Sequence, residues 1–493
     1  MRAPILRADF SKWSFLSRRQ FSILISLGNV AHPYANEPRL PGLRLCSVFH
    51  LDELEQAAGL SGRGSTHLMK HHLYIGIDRS DQFIDTHILD GQGRFISQSC
   101  ILSAPEALMP WVQSIQLQLP KGAIAALCIE QPCANLNGFL RQFPFLQLYL
   151  INPIILKNYR ETFNLSKAKD DKKDALHLAK LIYEKHDLIT PWTAPDDSSA
   201  KLDILSKKRR QLVEARSGIS NRLTQLLKDY YPQALSLTGR SFHTRVACDF
   251  LQKWPTLQSA KRARPHTVRK FYISHSSSRP KLNETRLEII AQAVPLTNDP
   301  ATLETYAELT QAYAQQLTTL NTGIKRFEDL ISETLSEHSD THIFRSLPSA
   351  GDIFCARLIS FFGTDRSRFP SSLDVQNASG IAPITKQSGT IHHVQRRYAC
   401  SKFWRQTFVE WAGLSVIRSR WAKAFYQQQK AKGNRHHVIL RSLAYKWIRI
   451  IHRCWQDQKP YCEEKYLGAL KTAGSPLFHR IEKQNHPDSR EGK

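Results

Sequence analysis

The stretch Leu73-Tyr74-Ile75-Gly76-Ile77-Asp78 decides how this chain is read. Its alternation puts Leu73, Ile75 and Ile77 on one face and Tyr74, Gly76 and Asp78 on the other, the period of a strand that ends in an acid. Phe83 to Leu89 and Arg94 to Leu102 continue as strands on either side of Asp90-Gly91-Gln92-Gly93, a hairpin turn signal. Ala104 to Leu119 has helical spacing. Ala123 to Glu130 is a continuous apolar run closing on a second acid, as suits a buried central strand. Leu146 to Ile151 is one more strand. Three early strands followed by alternating helices and strands predict an α/β domain with a mixed sheet and helices on its faces.

Two acids, Asp78 and Glu130, thus end central strands at one rim of the sheet. Further on, Lys167-Ala168-Lys169-Asp170-Asp171-Lys172-Lys173-Asp174-Ala175 opens a helix that runs through Leu176, Leu178, Ala179 and Ile182. Asp171 and Asp174 are three apart and share a helical face. Asp78, Glu130, Asp171 and Asp174 together are a donor set for two Mg²⁺ ions, because hard divalent cations take oxygen ligands and a metal pair serves phosphodiester chemistry. Any one of these acids alone reads equally well as a solvated strand end or a first-turn helix acid.

Composition narrows the partner. The chain has 493 residues, with 68 Lys and Arg against 43 Asp and Glu, a net charge of +25. That excess points to a polyanion, nucleic acid first and an anionic membrane surface second. No apolar run approaches the ~18–20 residues of a transmembrane helix. The nine cysteines show no C-x-x-C spacing, which argues against a zinc ribbon and a disulfide framework and fits a cytoplasmic setting.

Residues 1–68 carry scattered Pro and Gly and no sustained period. Ser17-Arg18-Arg19-Gln20-Phe21 resembles a twin-arginine signal, but the apolar run after it is broken by Ser22, Ser26, Gly28 and Asn29. The segment reads as a leader, either disordered or an over-extended start, with the working chain beginning near Met69. The sheet domain covers 69–190 and a helical or coiled-coil middle 191–340. A mostly α C-terminal domain covers 341–470, and 471–493 reads as a disordered tail.

In the middle, residues 198–235 form a long helix decorated by Lys207, Lys208, Arg209 and Arg210, residue types that neutralise phosphates. Residues 261–285 read as a basic loop. Ala301 to Leu335 carries a heptad-like seam that pairs with the earlier helix or with another subunit. In the C-terminal region, Gly380-Ile381-Ala382-Pro383-Ile384-Thr385-Lys386-Gln387-Ser388-Gly389 reads as an exposed loop. Arg396, Arg397, Lys402 and Arg405 follow it, and then Trp404, Trp411, Trp421, Tyr426, Trp447 and Trp455 fall among basic residues. Such interleaving suits a surface that grips phosphates and stacks on bases, and helical core spacing gives the same pattern.

The segments Tyr74-Ile75-Gly76-Ile77-Asp78, Ile129-Glu130 and Asp171-Lys172-Lys173-Asp174-Ala175 resemble the RuvC-like DEDD transposases of bacterial insertion sequences, the group that includes the Piv invertase. The D-x-x-D-A spacing favours Asp171 over Asp170 for the third acid. The resemblance extends to a C-terminal transposase domain. It is carried there by Leu347-Pro348-Ser349-Ala350-Gly351, by Gly363 to Phe369, by Ser379 to Gly389 and by Arg441 to Ile451. It implies an RNase H-like sheet, a Mg²⁺ site on the four acids, and a serine nucleophile at Ser388 rather than Ser379 or Ser349. It further implies oligomeric assembly, DNA as substrate and an element-encoded guide RNA. The reading is a transposase or recombinase that cleaves and rejoins DNA. Its alternatives are a metal-dependent junction nuclease with Ser388 inert, and a non-catalytic nucleic-acid-binding protein.

Overall fold

The computed structural model describes residues 71–130, 134–162, 171–239, 241–275, 279–389, 391–398 and 400–485. The leader reading of residues 1–68 and the competing Asp170 fall outside these residues. The N-terminal sheet has five strands: β1 (Leu73–Arg79), β2 (Phe83–Asp90), β3 (Phe95–Leu102), β4 (Ala125–Glu130) and β5 (Leu146–Ile151). Their order across the sheet is β3-β2-β1-β4-β5. β1 to β3 are antiparallel neighbours, whereas β4 runs parallel to both β1 and β5. The sheet is therefore mixed, as the pattern predicts.

Its two faces follow the alternation. Leu73, Ile75 and Ile77 pack with Leu108, Trp111, Val112 and Ile115 of the helix Pro105–Gln118. Tyr74, Ala126, Cys128 and Tyr149 pack with Leu178, Ala179, Leu181 and Ile182 of the helix Asp171–Lys185. Burying one such aliphatic or aromatic side chain contributes roughly 1.5–3 kcal/mol.

Two long helices build the middle, Asp197–Tyr230 and Pro300–Glu337. Arg209 meets Glu328, Arg216 meets Asn321 and Tyr230 meets Thr310, so one helix ascends as the other descends. The apolar seam of the second helix is thus met by the first within the same chain. At one end of the pair, residues expected to form a basic loop are helical instead, as Pro265–Ser274 and Pro280–Gln292. A proline opens each helix, where its missing N–H costs nothing. Val268, Phe271, Tyr272 and Ile290 then enter a core with Phe250 and Trp254.

The C-terminal region is mostly helical. Its core takes Leu202, Leu205, Ile331 and Leu335 from the ends of the long pair, together with Phe362, Trp411, Trp421, Trp447 and Trp455. All four tryptophans are 0% exposed. The indole N–H of Trp447 donates to the Ser415 hydroxyl, and that of Trp455 to the Gly363 carbonyl. The interleaved aromatics are therefore packing residues, and the stacking surface expected from them does not form around these four. The tail expected from residue 471 is helical over Pro476–Asn485, because Leu477 and Ile481 lie four apart and both reach the core.

Candidate active site

The register of the parallel pair fixes two of the acids. Ile77 lies opposite Ile129, so the next residues, Asp78 one before the end of β1 and Glu130 at the end of β4, stand at the same level on neighbouring strands. Adjacent strands are about 4.8 Å apart and alternate residues share a face. Asp78 follows Tyr74 and Gly76, and Glu130 follows Ala126 and Cys128, so both acids belong to the face covered by the helix Asp171–Lys185. Both are half-buried. Asp78 also lies directly opposite Asp85 on β2. Three carboxylates therefore occupy one row across β2, β1 and β4, with like charges directly opposite one another at Asp78 and Asp85. Asp85 sits mid-strand rather than at a strand end, so the sequence does not mark it; only the antiparallel register places it opposite Asp78.

Gly76 sets the depth of the covering helix. A Cβ there would stand 2.0 Å from the Ala175 carbonyl oxygen and 2.4 Å from the Ala179 nitrogen. The helix backbone therefore lies on β1 two residues before Asp78, with Asp174 adjacent to the contact.

Asp174 is 3% exposed. Arg160 Nη1 donates to both of its carboxylate oxygens, at 2.8 Å each. Arg160 stands in the last turn of the helix Pro153–Glu161, which Asn152 caps by accepting from the Ile154 N–H. Nothing in the sequence spacing marks this arginine. One turn beyond Asp174, burial lowers the pKa of His177, and the Asp174 charge opposes that shift. Asp171 opens the helix with its backbone. Among the described residues, no three His, Cys, Asp or Glu side chains close into a ready-made metal cage. The row formed by Asp85, Asp78 and Glu130 offers carboxylate oxygens, the type that hard divalent cations take.

Ser388 lies on a different element. β6 (Ile384–Ser388) and β7 (Ile391–Gln395) form a two-stranded hairpin, with Ser388 opposite Ile391 at its tip. Gly389 follows at φ 55, the left-handed region that a tight turn draws on glycine to supply. The expected loop is therefore a strand end beside a turn. Ser379 is 0% exposed, and its hydroxyl donates to the Gln376 carbonyl at 3.2 Å. Ser349 is half-buried and holds a positive φ of 61. Among the described residues, no substantial packing joins the Ser388 hairpin to the acidic sheet.

The basic residues divide into two groups. Arg209 donates to Glu328 at 3.0 and 2.5 Å, and Arg210 donates to Glu214 at 2.9 Å and lies 3.5 Å from Glu410. Arg397 donates to Asn377 and the Ala382 carbonyl, and Arg405 to the Arg397 carbonyl and the Cys400 sulfur. These four tie the structure together. Lys207 pairs with Asp203 and sits over the Trp404 ring. Lys208 and Lys402 are exposed, and Arg396 stacks at 4.5 Å on Tyr398, itself 63% exposed. Burial, then the positive charges of Arg396 and Arg405, lower the pKa of Arg441. A positive cluster thus stands beside the hairpin.

Comparison with known proteins bears on this arrangement. A DEDD transposase domain model matches residues 75–232, from β1 to just past the first long helix. A transposase model of the IS116/IS110/IS902 family matches residues 341–427, which include the Ser388 hairpin. The mini-circle putative transposase for IS117 of Streptomyces coelicolor is 24% identical over 410 residues, covering 82% of this chain and 98% of that protein. An uncharacterized 42 kDa protein of insertion element IS900 from Mycobacterium paratuberculosis is 25% identical over 305 residues, 59% of this chain and 73% of its own length. The 43.6 kDa protein of insertion element IS110, also from Streptomyces coelicolor, is 22% identical over 293 residues, 59% of this chain and 71% of that protein. The DEDD domain implies divalent-metal-dependent nuclease chemistry. Among the described residues, no helix is long and apolar enough to cross a membrane. With the two domain models falling in order on the acidic sheet and on the hairpin-bearing domain, the chain carries transposase domains of the IS110 and IS116/IS110/IS902 type and is a transposase, an enzyme that cleaves and rejoins DNA.

Proposed function

We propose that this transposase cuts DNA with a Mg²⁺ site on Asp78, Glu130, Asp171 and Asp174 of an RNase H-like sheet, and with Ser388 as the attacking nucleophile. The observation that carries the reading is the placement of Asp78 and Glu130 side by side at strand ends, under the helix that bears Asp174. The four carboxylates would hold two Mg²⁺ ions, which would supply activation of an attacking oxygen and neutralisation of charge on phosphate. Ser388 supplies the hydroxyl that attacks phosphorus; its proton leaves as the bond forms, and the departing strand end takes one up. Positive charge from Arg396 and Arg441 stabilises the developing phosphate charge. Lys207, Lys208 and Lys402 add attraction for the DNA backbone.

The hairpin and the sheet have to meet for this chemistry. The proposal therefore includes a homo-oligomer, in which one chain's hairpin reaches another's sheet, and an element-encoded RNA held on basic surface. The net charge of +25 supports a nucleic-acid partner. The test is a denaturing gel of labelled element-end DNA incubated with Mg²⁺ or with a chelator. Wild-type chain should give a metal-dependent covalent protein–DNA adduct that Ser388→Ala abolishes, while Ser379→Ala keeps it. Cleavage with free ends at the normal rate in Ser388→Ala would favour a metal-only junction nuclease.

A further inference from the structure

The buried carboxylate of Asp174 already has a cation, and that cation belongs to the chain. Arg160 Nη1 sits astride both oxygens at 2.8 Å. The Asp174 side chain is 4% exposed and that of Arg160 is 22% exposed, so the arginine is the more solvent-accessible partner of the pair. A buried carboxylate without a partner is strongly disfavoured, and Arg160 is the partner here. An ionised carboxylate has about four lone-pair positions, and a donor centred between the two oxygens takes the pair that a bidentate cation would use. The guanidinium and a metal ion therefore compete for the same side of the same group.

We propose that Arg160 is a tethered counter-ion for Asp174 that must swing away before a divalent cation completes the site, so that Arg160 sets the metal affinity of this transposase. The inference rests on the reading of Asp174 as a metal ligand. Arg160 stands in the last turn of its helix, two residues before the segment that leads to Asp171. Metal binding and Arg160 docking are then linked with opposite sign, and the linkage is reciprocal. A cation loosens Arg160, and anything that draws Arg160 outward raises the affinity for the cation. A DNA phosphate is such a group, since guanidinium binds phosphate in the geometry with which it binds carboxylate. Arg160 is a positioning residue on this account, acting on the metal through Asp174.

The experiment measures Mn²⁺ binding to the full chain by water-proton relaxation, with thermal unfolding of each variant with and without Mn²⁺. Arg160→Gln should unfold at lower temperature than wild type without metal, bind Mn²⁺ on the order of tenfold more tightly, and gain more stability from it. Arg160→Lys, which keeps the charge but not the fork, should fall between. Asp174→Asn should bind Mn²⁺ weakly whatever stands at position 160. If wild type binds Mn²⁺ and Arg160→Gln and Arg160→Lys bind it no more tightly, Arg160 is not a competitor and the inference fails alone. If neither wild type nor Arg160→Gln binds Mn²⁺, the metal reading of Asp174 fails and the inference falls with it.

Discussion

Gly76 and Ala175 meet backbone to backbone: a single methyl group on Gly76 would lie 2.0 Å from the Ala175 carbonyl oxygen. This contact seats the helix Asp171–Lys185 on β1 at a fixed depth and so fixes where Asp174 lies relative to Asp78. Gly76→Ala therefore has to push the helix outward. Overpacking of this kind costs about 1–3 kcal/mol. Activity should fall further than stability, because the acids separate. Thermal unfolding alongside DNA cleavage checks this, and a Gly76→Ala chain with normal stability and normal cleavage would contradict the packing account.

The junction between the long helices and the C-terminal region turns on His338, which is 6% exposed. Its Nδ1 accepts from the Asp340 N–H at 3.1 Å and its Nε2 meets the Ser199 hydroxyl at 3.0 Å, with Asp196 3.7 Å away. Burial lowers its pKa below the usual 6.5, although Asp196 and Asp340 oppose that and Arg366 adds to it. The unfolded chain therefore binds a proton that the folded chain refuses. The stability tied to His338 is complete above about pH 6.5 and is lost as pH falls toward the lowered folded value. Unfolding temperatures measured through that window should drop more steeply for wild type than for His338→Gln. Parallel curves would rule out His338 as a source of the acid sensitivity.

Trp447 is fully buried, with its ring centroid 4.8 Å from that of Trp411 and 4.5 Å from that of Trp421. Trp447→Ala should cost about 3–5 kcal/mol, the range for removing a large buried aromatic. Loss of DNA affinity should come only from loss of folded protein. Chemical denaturation and DNA binding measured on the folded fraction separate the two effects. A stable Trp447→Ala chain with weakened DNA binding would restore the stacking role read from the sequence.

Much of the sheet was legible because its residues repeat with period two and its strands end at turns. Leu73 to Asp78 and Ala123 to Glu130 announced their faces, and so announced where Asp78 and Glu130 would stand. Asp85 and Arg160 were not legible. Asp85 becomes a neighbour of Asp78 only through the antiparallel register, and Arg160 meets Asp174 across 14 residues with no shared period. The tryptophans misled for a general reason: helical spacing of aromatics among Arg and Lys is the same for a core face bordered by solvent as for a stacking surface. Only burial separates the two, and here it is complete for four of them. The loop expected at 261–285 failed because prolines that open helices read like prolines that break them.

The central claim is that the carboxylates gathered beneath the helix Asp171–Lys185 perform the cutting and do not merely hold the fold. The most direct measurement is Mg²⁺-dependent cleavage of labelled element-end DNA by Asp78→Asn, with DNA affinity determined on the same preparation. A neutral amide is a poor ligand for a hard cation, while the basic surface is untouched. The account predicts that cleavage disappears, the covalent adduct with it, and that DNA affinity stays within about twofold of wild type, the scatter expected of a substitution away from the binding surface. Cleavage at the wild-type rate by Asp78→Asn, or a loss of DNA binding as large as the loss of cleavage, would contradict it.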